Sequence, residues 1–222
     1  MDYFCQAPLA YALHFAAVLH QFRREPQAAQ EQAEATMALS TEHKFPLWLT
    51  TGSILRGWAL AEQGQGVEGM AYIRQGLNVH QAMAGEFWRP YILTLLAAAH
   101  GHMGQDDEGL HRLATALAVV EKTGERLWEA ELHRLKGELL LRLSADNSTE
   151  AETCFHQALD MARHQGAKAW ELRAAMSLAR LWQQQGQRDA ACDLLKPIYG
   201  WFTEGFDTAD LQEAKVLLDA LA

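Results

Sequence analysis

The sequence predicts an all-α fold, a right-handed α-solenoid (superhelix) of about five helix pairs with a period near 40 residues, and three observations predict it. Tryptophan recurs at Trp48, Trp88, Trp128 and Trp170, in steps of 40, 40 and 42 residues. Two series of small residues keep the same step: Ala17, Gly57, Ala97, Gly137 and Ala179, then Ala29, Gly69, Gly109, Ala151 and Ala191. A turn signal separates the two series in every unit, while 5 Pro and 16 Gly in 222 residues leave long Ala-, Leu-, Gln- and Glu-rich stretches that favour helices.

The first pair is expected over about 8–43, divided at Arg24-Glu25-Pro26. The second, 44–84, turns at Gly64-Gln65-Gly66, and the third, 85–124, at Gly104-Gln105-Asp106. The fourth, 125–166, turns in the polar loop 144–149, which absorbs the two extra residues of the 42-residue step at little cost. The fifth, 167–205, turns at Gly186-Gln187-Arg188. Small positions let two helix backbones approach, and larger apolar positions fill the space beside them: Ala33, Ile73, Leu113, Phe155 and Leu195, then Met37, Leu77, Leu117, Leu159 and Tyr199. Asp106-Asp107 and Thr149-x-x-Glu152 place acceptors and negative charge at helix starts. A last helix over 207–221, with Asp207 and Thr208 as caps and a stripe of Leu211, Ala214, Val216, Leu217, Leu218 and Leu221, is expected to shield the fifth pair.

Residues 1–222 therefore read as a single repeat domain. The first helix begins without a polar capping element, which reads as a fragment of a longer array or as an array continued by a partner, with homodimerisation through the first repeat as one expectation.

The spacing within each unit resembles the tetratricopeptide repeat over residues 8 to about 200. The period exceeds the usual value of about 34, and the position three after the first small residue is His20, Leu60, His100, Leu140 and Trp182. HEAT-type helical repeats share the longer period. The runs Leu127-Trp128-Glu129-Ala130-Glu131-Leu132, 171–182 (ELRAAMSLARLW) and 199–211 (YGWFTEGFDTADL) resemble the C-terminal repeat region of large bacterial signalling proteins. In that family a class III nucleotide cyclase domain and a regulatory P-loop ATPase precede the repeats, much as repeats follow the ATPase in MalT-like regulators. The resemblance implies a sensor or scaffold arm; no cyclase or ATPase residue carries over, because the chain has neither a G-x-x-x-x-G-K-[ST] loop nor a paired-aspartate metal site.

Other classes fit poorly. A net charge of −9 opposes a phosphate backbone, so no nucleic-acid partner is expected. Cys5, Cys154 and Cys192 form no C-x-x-C pair and suit free thiols in a reducing, cytoplasmic setting. The N-terminus lacks a basic signal-peptide region, and the most apolar stretch, 91–99, is far shorter than the roughly 20 residues of a membrane span. Gly64-Gln65-Gly66-Val67-Glu68-Gly69 matches G-x-G-x-x-G, but a helix feeds it where a dinucleotide site needs a strand, so it reads as the inter-helix turn. Asn147-Ser148-Thr149 fits a glycosylation sequon and reads as polar loop. His100-x-His102 is too closely spaced for one helix face, and His20 and His100, which share a repeat position, read as packing residues. No cofactor, metal or catalytic group is expected, and the chain is not read as an enzyme.

The first helices of successive pairs are expected to line a concave groove. Tyr11, His14, Phe22, Trp58, Glu62, Tyr91 and His102 give that groove an aromatic N-terminal side, and Arg134, Arg142, Arg173 and Arg180, with Glu138 among them, a basic C-terminal side. Such a groove suits a protein or peptide with apolar anchors and carboxylates; the competing reading pairs Arg134 and Arg142 with Glu138 along one helix. The recurrent tryptophans are expected in the core. The resulting function is a protein-interaction scaffold, the regulatory arm of a larger signalling ATPase or cyclase; the alternative is a sensor that takes a small ligand into the groove.

Overall fold

The computed structural model describes residues 3–222, with side chains from Gln6 onward, and among the described residues there are eleven α-helices, one 3-10 turn and no strand. The chain divides into two compact units, Met1–Thr123 and Gly124–Ala222. The division falls where the third expected repeat meets the fourth.

In the first unit, α1 (Tyr3–Phe22) packs on α2 (Pro26–His43), α3 (Pro46–Glu62) on α4 (Gly66–Ala84), and α5 (Arg89–His102) on α6 (Asp106–Thr123). The first helices α1, α3 and α5 also touch in succession. In the second unit, α7 (Glu129–Leu143) packs on α8 (Ser148–Gln165), and α9 (Lys168–Gln184) on α10 (Arg188–Tyr199). There α11 (Ala209–Leu221) lies against α9 and α10.

The turns explain why each pair folds back. The N–H of Gly64 donates to the Ala61 carbonyl at 3.1 Å and that of Gln65 to the Leu60 carbonyl at 2.9 Å, a Schellman closure that needs a left-handed residue, met by Gly64 at φ 84°. The same two bonds recur at Gly104-Gln105 and Gly186-Gln187. The first pair uses Arg24 there at φ 61°, a conformation that costs a residue with a Cβ about 1–2 kcal/mol. The letter match at 64–69 is therefore a helix-to-helix turn with Gly66 opening α4.

The small-residue series marks the closest backbone approach. A methyl group on Gly57 would lie 2.6 Å from the Gly69 carbonyl oxygen, and one on Gly69 would lie 2.4 Å from that of Gly57. In α7 a methyl on Gly137 would strike the Phe155 ring at 2.5 Å. Ile73, Leu113, Phe155 and Leu195 are wholly buried beside these contacts.

Three local expectations change. The two extra residues of the fourth pair wind a 3-10 turn, Ala145–Asn147, capped by Ser144 Oγ, which accepts from the Asp146 N–H at 3.1 Å. That turn starts α8 at Ser148, so Thr149 lies inside the first turn and caps nothing, and Glu152 instead accepts from Trp182 Nε1 at 2.8 Å. At α11 Thr208 holds the cap position, but its hydroxyl donates to the Gly205 carbonyl at 2.7 Å; Leu211, Ala214, Leu217 and Leu221 are buried while Val216 faces solvent.

Each recurrent tryptophan sits at the start of a first helix, as its spacing implied. Trp128 is buried, and Trp48, Trp88 and Trp170 are half-buried. Trp48 meets Tyr11 and His14 of the preceding pair, and Trp170 meets Trp128 at 6.2 Å.

Candidate functional site

In the first unit, α1 places Tyr11, His14 and Phe15 against Trp48 of α3 and Trp88, the residue that caps α5. Tyr11 and Phe15, four residues apart on α1, have ring centroids 4.5 Å apart, and Tyr11 meets Trp48 edge-on at 5.6 Å. The His14 ring lies between two indoles, 5.2 Å from Trp48 and 5.6 Å from Trp88. Phe87 stacks on Trp88 at 5.6 Å, and Phe15 meets Trp88 edge-on at 5.7 Å. The cluster runs from a buried interior to an exposed rim, where Tyr11 and Phe87 remain 52% and 62% exposed.

His14 is 1% exposed, and neither ring nitrogen has a hydrogen-bond partner among the described residues. Burial without a compensating bond disfavours the imidazolium and lowers its pKa to about 4. Farther along, the Tyr91 hydroxyl donates to Gln21 Oε1 at 3.0 Å and its ring meets Phe22 at 6.1 Å, so α5 reaches α1 directly. Burial pushes the Tyr91 phenol well above its ordinary value. Trp58 is buried in the core and offers no binding surface. Glu62 and His102 face each other at 3.2 Å.

Of the residues read as lining the groove, Tyr11, His14 and Phe22 lie on α1 and Tyr91 on α5, but His14 and Tyr91 pack inward, where side chains of α1 and α5 meet. Phe15, Trp48, Phe87 and Trp88 belong to the same cluster and were not singled out as site residues. The i, i+4 spacing of Tyr11 and Phe15 signalled one of them. The tryptophan series signalled two more.

In the second unit, the arginines meet carboxylates. Arg134 makes two 2.6 Å hydrogen bonds to Glu131 and a further one to Glu138, which also accepts from Ser177 Oγ at 2.8 Å. Arg173 Nε donates to Asp210 at 2.7 Å and Arg180 Nη2 to Glu213 at 2.9 Å, both carboxylates belonging to α11. Arg142 is exposed on the last turn of α7. The basic patch read along the helices is thereby compensated, because α11 supplies charges that lie more than thirty residues away in sequence.

The histidine pair reads as packing. His100 is buried, with Nδ1 2.8 Å from Gln105 Oε1, and His20 holds the equivalent place, with Nδ1 2.6 Å from Glu25. Among the described residues, no three His, Cys, Asp or Glu side chains are grouped to hold a metal ion, and no helix is long and apolar enough to cross a membrane. Cys154 and Cys192 are free thiols; the Cys5 side chain lies outside the described residues.

Solved structures share this fold. A Rap protein complexed with competence and sporulation factor is similar over 96% of this chain and 57% of that one, with 16% identity and a TM-score of 0.74. A signal transduction ATPase with numerous domains (STAND) from Pyrococcus horikoshii, which has a tetratricopeptide repeat sensor, is similar over 96% of this chain and 32% of its own, with 15% identity and a TM-score of 0.68. Tetratricopeptide-like repeats of a Podosopora anserina putative kinesin light chain cover 90% of this chain and 96% of their own, with 20% identity and a TM-score of 0.59. At these identities the likeness establishes a tetratricopeptide-like helical repeat fold. No family model matches the sequence. An uncharacterized protein of Rhizobium meliloti (strain 1021) is 26% identical over 173 residues, 78% of this chain, and the matched segment is 17% of that protein's length.

Proposed function

We propose that the chain is a non-catalytic repeat scaffold that binds a protein or peptide segment through the aromatic face of its first unit. The observation that carries this reading is the continuous ring cluster whose outer members, Tyr11 and Phe87, stay largely exposed while its inner members are packed. Rigid aromatic side chains half out of water offer large contact area at small entropic cost and are the residues that dominate interfaces. The second unit's first-helix face is a weaker candidate, since Arg134, Arg173 and Arg180 already hold carboxylates. A partner's acidic groups would have to displace Asp210 and Glu213.

The place of the segment in a larger protein supports the finer reading. The Rhizobium relative carries a matching segment within a chain about six times as long, and the STAND protein carries a comparable fold as a sensor. The same arrangement in the parent of this chain makes it the regulatory arm of a signalling ATPase or nucleotide cyclase, acting in the cytoplasm.

Selection of displayed peptides on the 222-residue chain, followed by calorimetry, tests the reading. Selected peptides should share apolar or aromatic anchors, and Tyr11→Ala with Phe87→Ala should weaken them at least about tenfold, the effect of losing a buried aromatic anchor. Peptides that bind equally well to that double variant, but lose affinity with Arg173→Glu, would move the site to the second unit.

A further inference from the structure

α1 and the α5 residue it meets carry three costs. His14 is buried with two unpartnered nitrogens, although buried polar groups are normally hydrogen-bonded. Trp88, which stacks on it, has a left-handed backbone (φ 59°, ψ 4°), a conformation that a bulky residue keeps only when its surroundings impose it. Pro8 lies inside α1 and withholds a backbone donor from its first turns. Across α3, the side chains of α1 also meet α5 through the Tyr91–Gln21 hydrogen bond, the edge contact Phe15–Trp88 and the tilted pair Phe22–Tyr91, while the backbone of α1 packs on α2 and α3. Nothing among Tyr11, His14, Phe15, Trp48, Phe87 and Trp88 carries charge at neutral pH.

We infer that α1 is a displaceable cover, and that the slot between Trp48 and Trp88, filled in this structure by His14, receives a flat uncharged ring from a partner peptide when α1 swings away. Release of α1 gives His14 back to water and uncovers the Trp88 ring. The incoming ring recovers the two indole contacts without burying a polar atom. His14 is thus an internal substitute for the ligand, and the exposed rim of Tyr11 and Phe87 is where the peptide first lands. This inference rests on the reading that the first unit binds a peptide.

Native-state hydrogen exchange on the 222-residue chain tests it, with N-acetyl-phenylalanine amide as the ring probe. Amides on both sides of His14 should open together while those of α3 and α4 stay protected. His14→Phe fills the slot with a ring lacking polar atoms and should raise α1 protection roughly ten- to a hundredfold, the range set by removing an unpaired buried polar group. His14→Leu repeats the test should the phenylalanine fit badly. The probe should lower α1 protection in a dose-dependent way in the wild type and leave His14→Phe unchanged. Equal protection of α1 and α3, a gradient of fraying from the chain start that ignores both substitutions, or a wild type indifferent to the probe would each overturn the proposal. Selected peptides that bind at Tyr11 and Phe87 without changing α1 exchange would keep the scaffold reading and remove the cover; an α1 that opens as described with no peptide selected would do the reverse.

Discussion

His14 makes the stability of the first unit dependent on pH in a window that can be calculated. Its folded pKa of about 4 lies below the 6.5 of an unfolded imidazole, and burial is the cause. At pH 7.5 both states are neutral and nothing is lost. Below pH 6.5 the unfolded chain takes up a proton that the folded chain refuses, so stability falls as pH falls, and the loss levels off near pH 4, where the folded ring also protonates. A difference of 2.5 pKa units corresponds to about 3 kcal/mol at about 1.4 kcal/mol per unit. Burial lowers the pKa of His80, His100 and His133 as well, so the wild type should lose more than His14 alone explains. The carboxylates of Glu25, Glu34, Glu86 and Glu171 have lowered pKa values, so their contribution is complete above the ordinary carboxylate range and lost only at more acidic pH. The comparison that isolates His14 is therefore wild type against His14→Phe. Urea unfolding followed by far-UV circular dichroism from pH 7.5 to 4 should give two curves whose separation widens by about 3 kcal/mol, the variant being the less sensitive. Parallel curves would refute the assignment of His14 as a buried, unpaired imidazole.

Further outcomes follow from the packing. Gly57→Ala gains up to about 1 kcal/mol of helix propensity, but its methyl would meet the Gly69 carbonyl oxygen at 2.6 Å, so a net loss of about 1–2 kcal/mol is expected in urea unfolding. Arg134→Ala leaves Glu131 and Glu138 without their shared cation and should cost about 3 kcal/mol, whereas exposed Lys215→Ala should leave the urea midpoint where it is. Arg173→Glu together with Arg180→Glu sets like charges against Asp210 and Glu213, and hydrogen exchange should show α11 losing protection before α7 and α8. Equal loss throughout the second unit would mean that α11 is held by its apolar stripe alone.

The sequence by itself determined the helices and their pairing. A Cβ-free or Ala position must recur wherever two helix backbones close to contact, and a left-handed residue must recur wherever one helix reverses into the next. Both demands are local to a repeat, so Ala17, Gly57, Gly69, Gly64 and Gly186 were readable as a pattern. The turn at 144–149 was placed correctly, but its 3-10 winding was not: Ser144 caps a turn of its own, and Glu152, read as half of a capping box, accepts from Trp182 thirty residues away.

The tertiary structure alone decided which faces stay free. Arg173 and Arg180 read as available cations along α9, and only the return of α11 shows Asp210 and Glu213 against them. His14 and Tyr91 read as groove residues at their helical positions. In the folded unit α1 lies close enough to α5 for Gln21 to accept from Tyr91, so His14 and Tyr91 are buried while Tyr11 and Phe87 stay exposed. Helical period fixes the direction of a side chain from its own axis. The spacing between helices four elements apart depends on packing throughout the unit, and no local pattern encodes it.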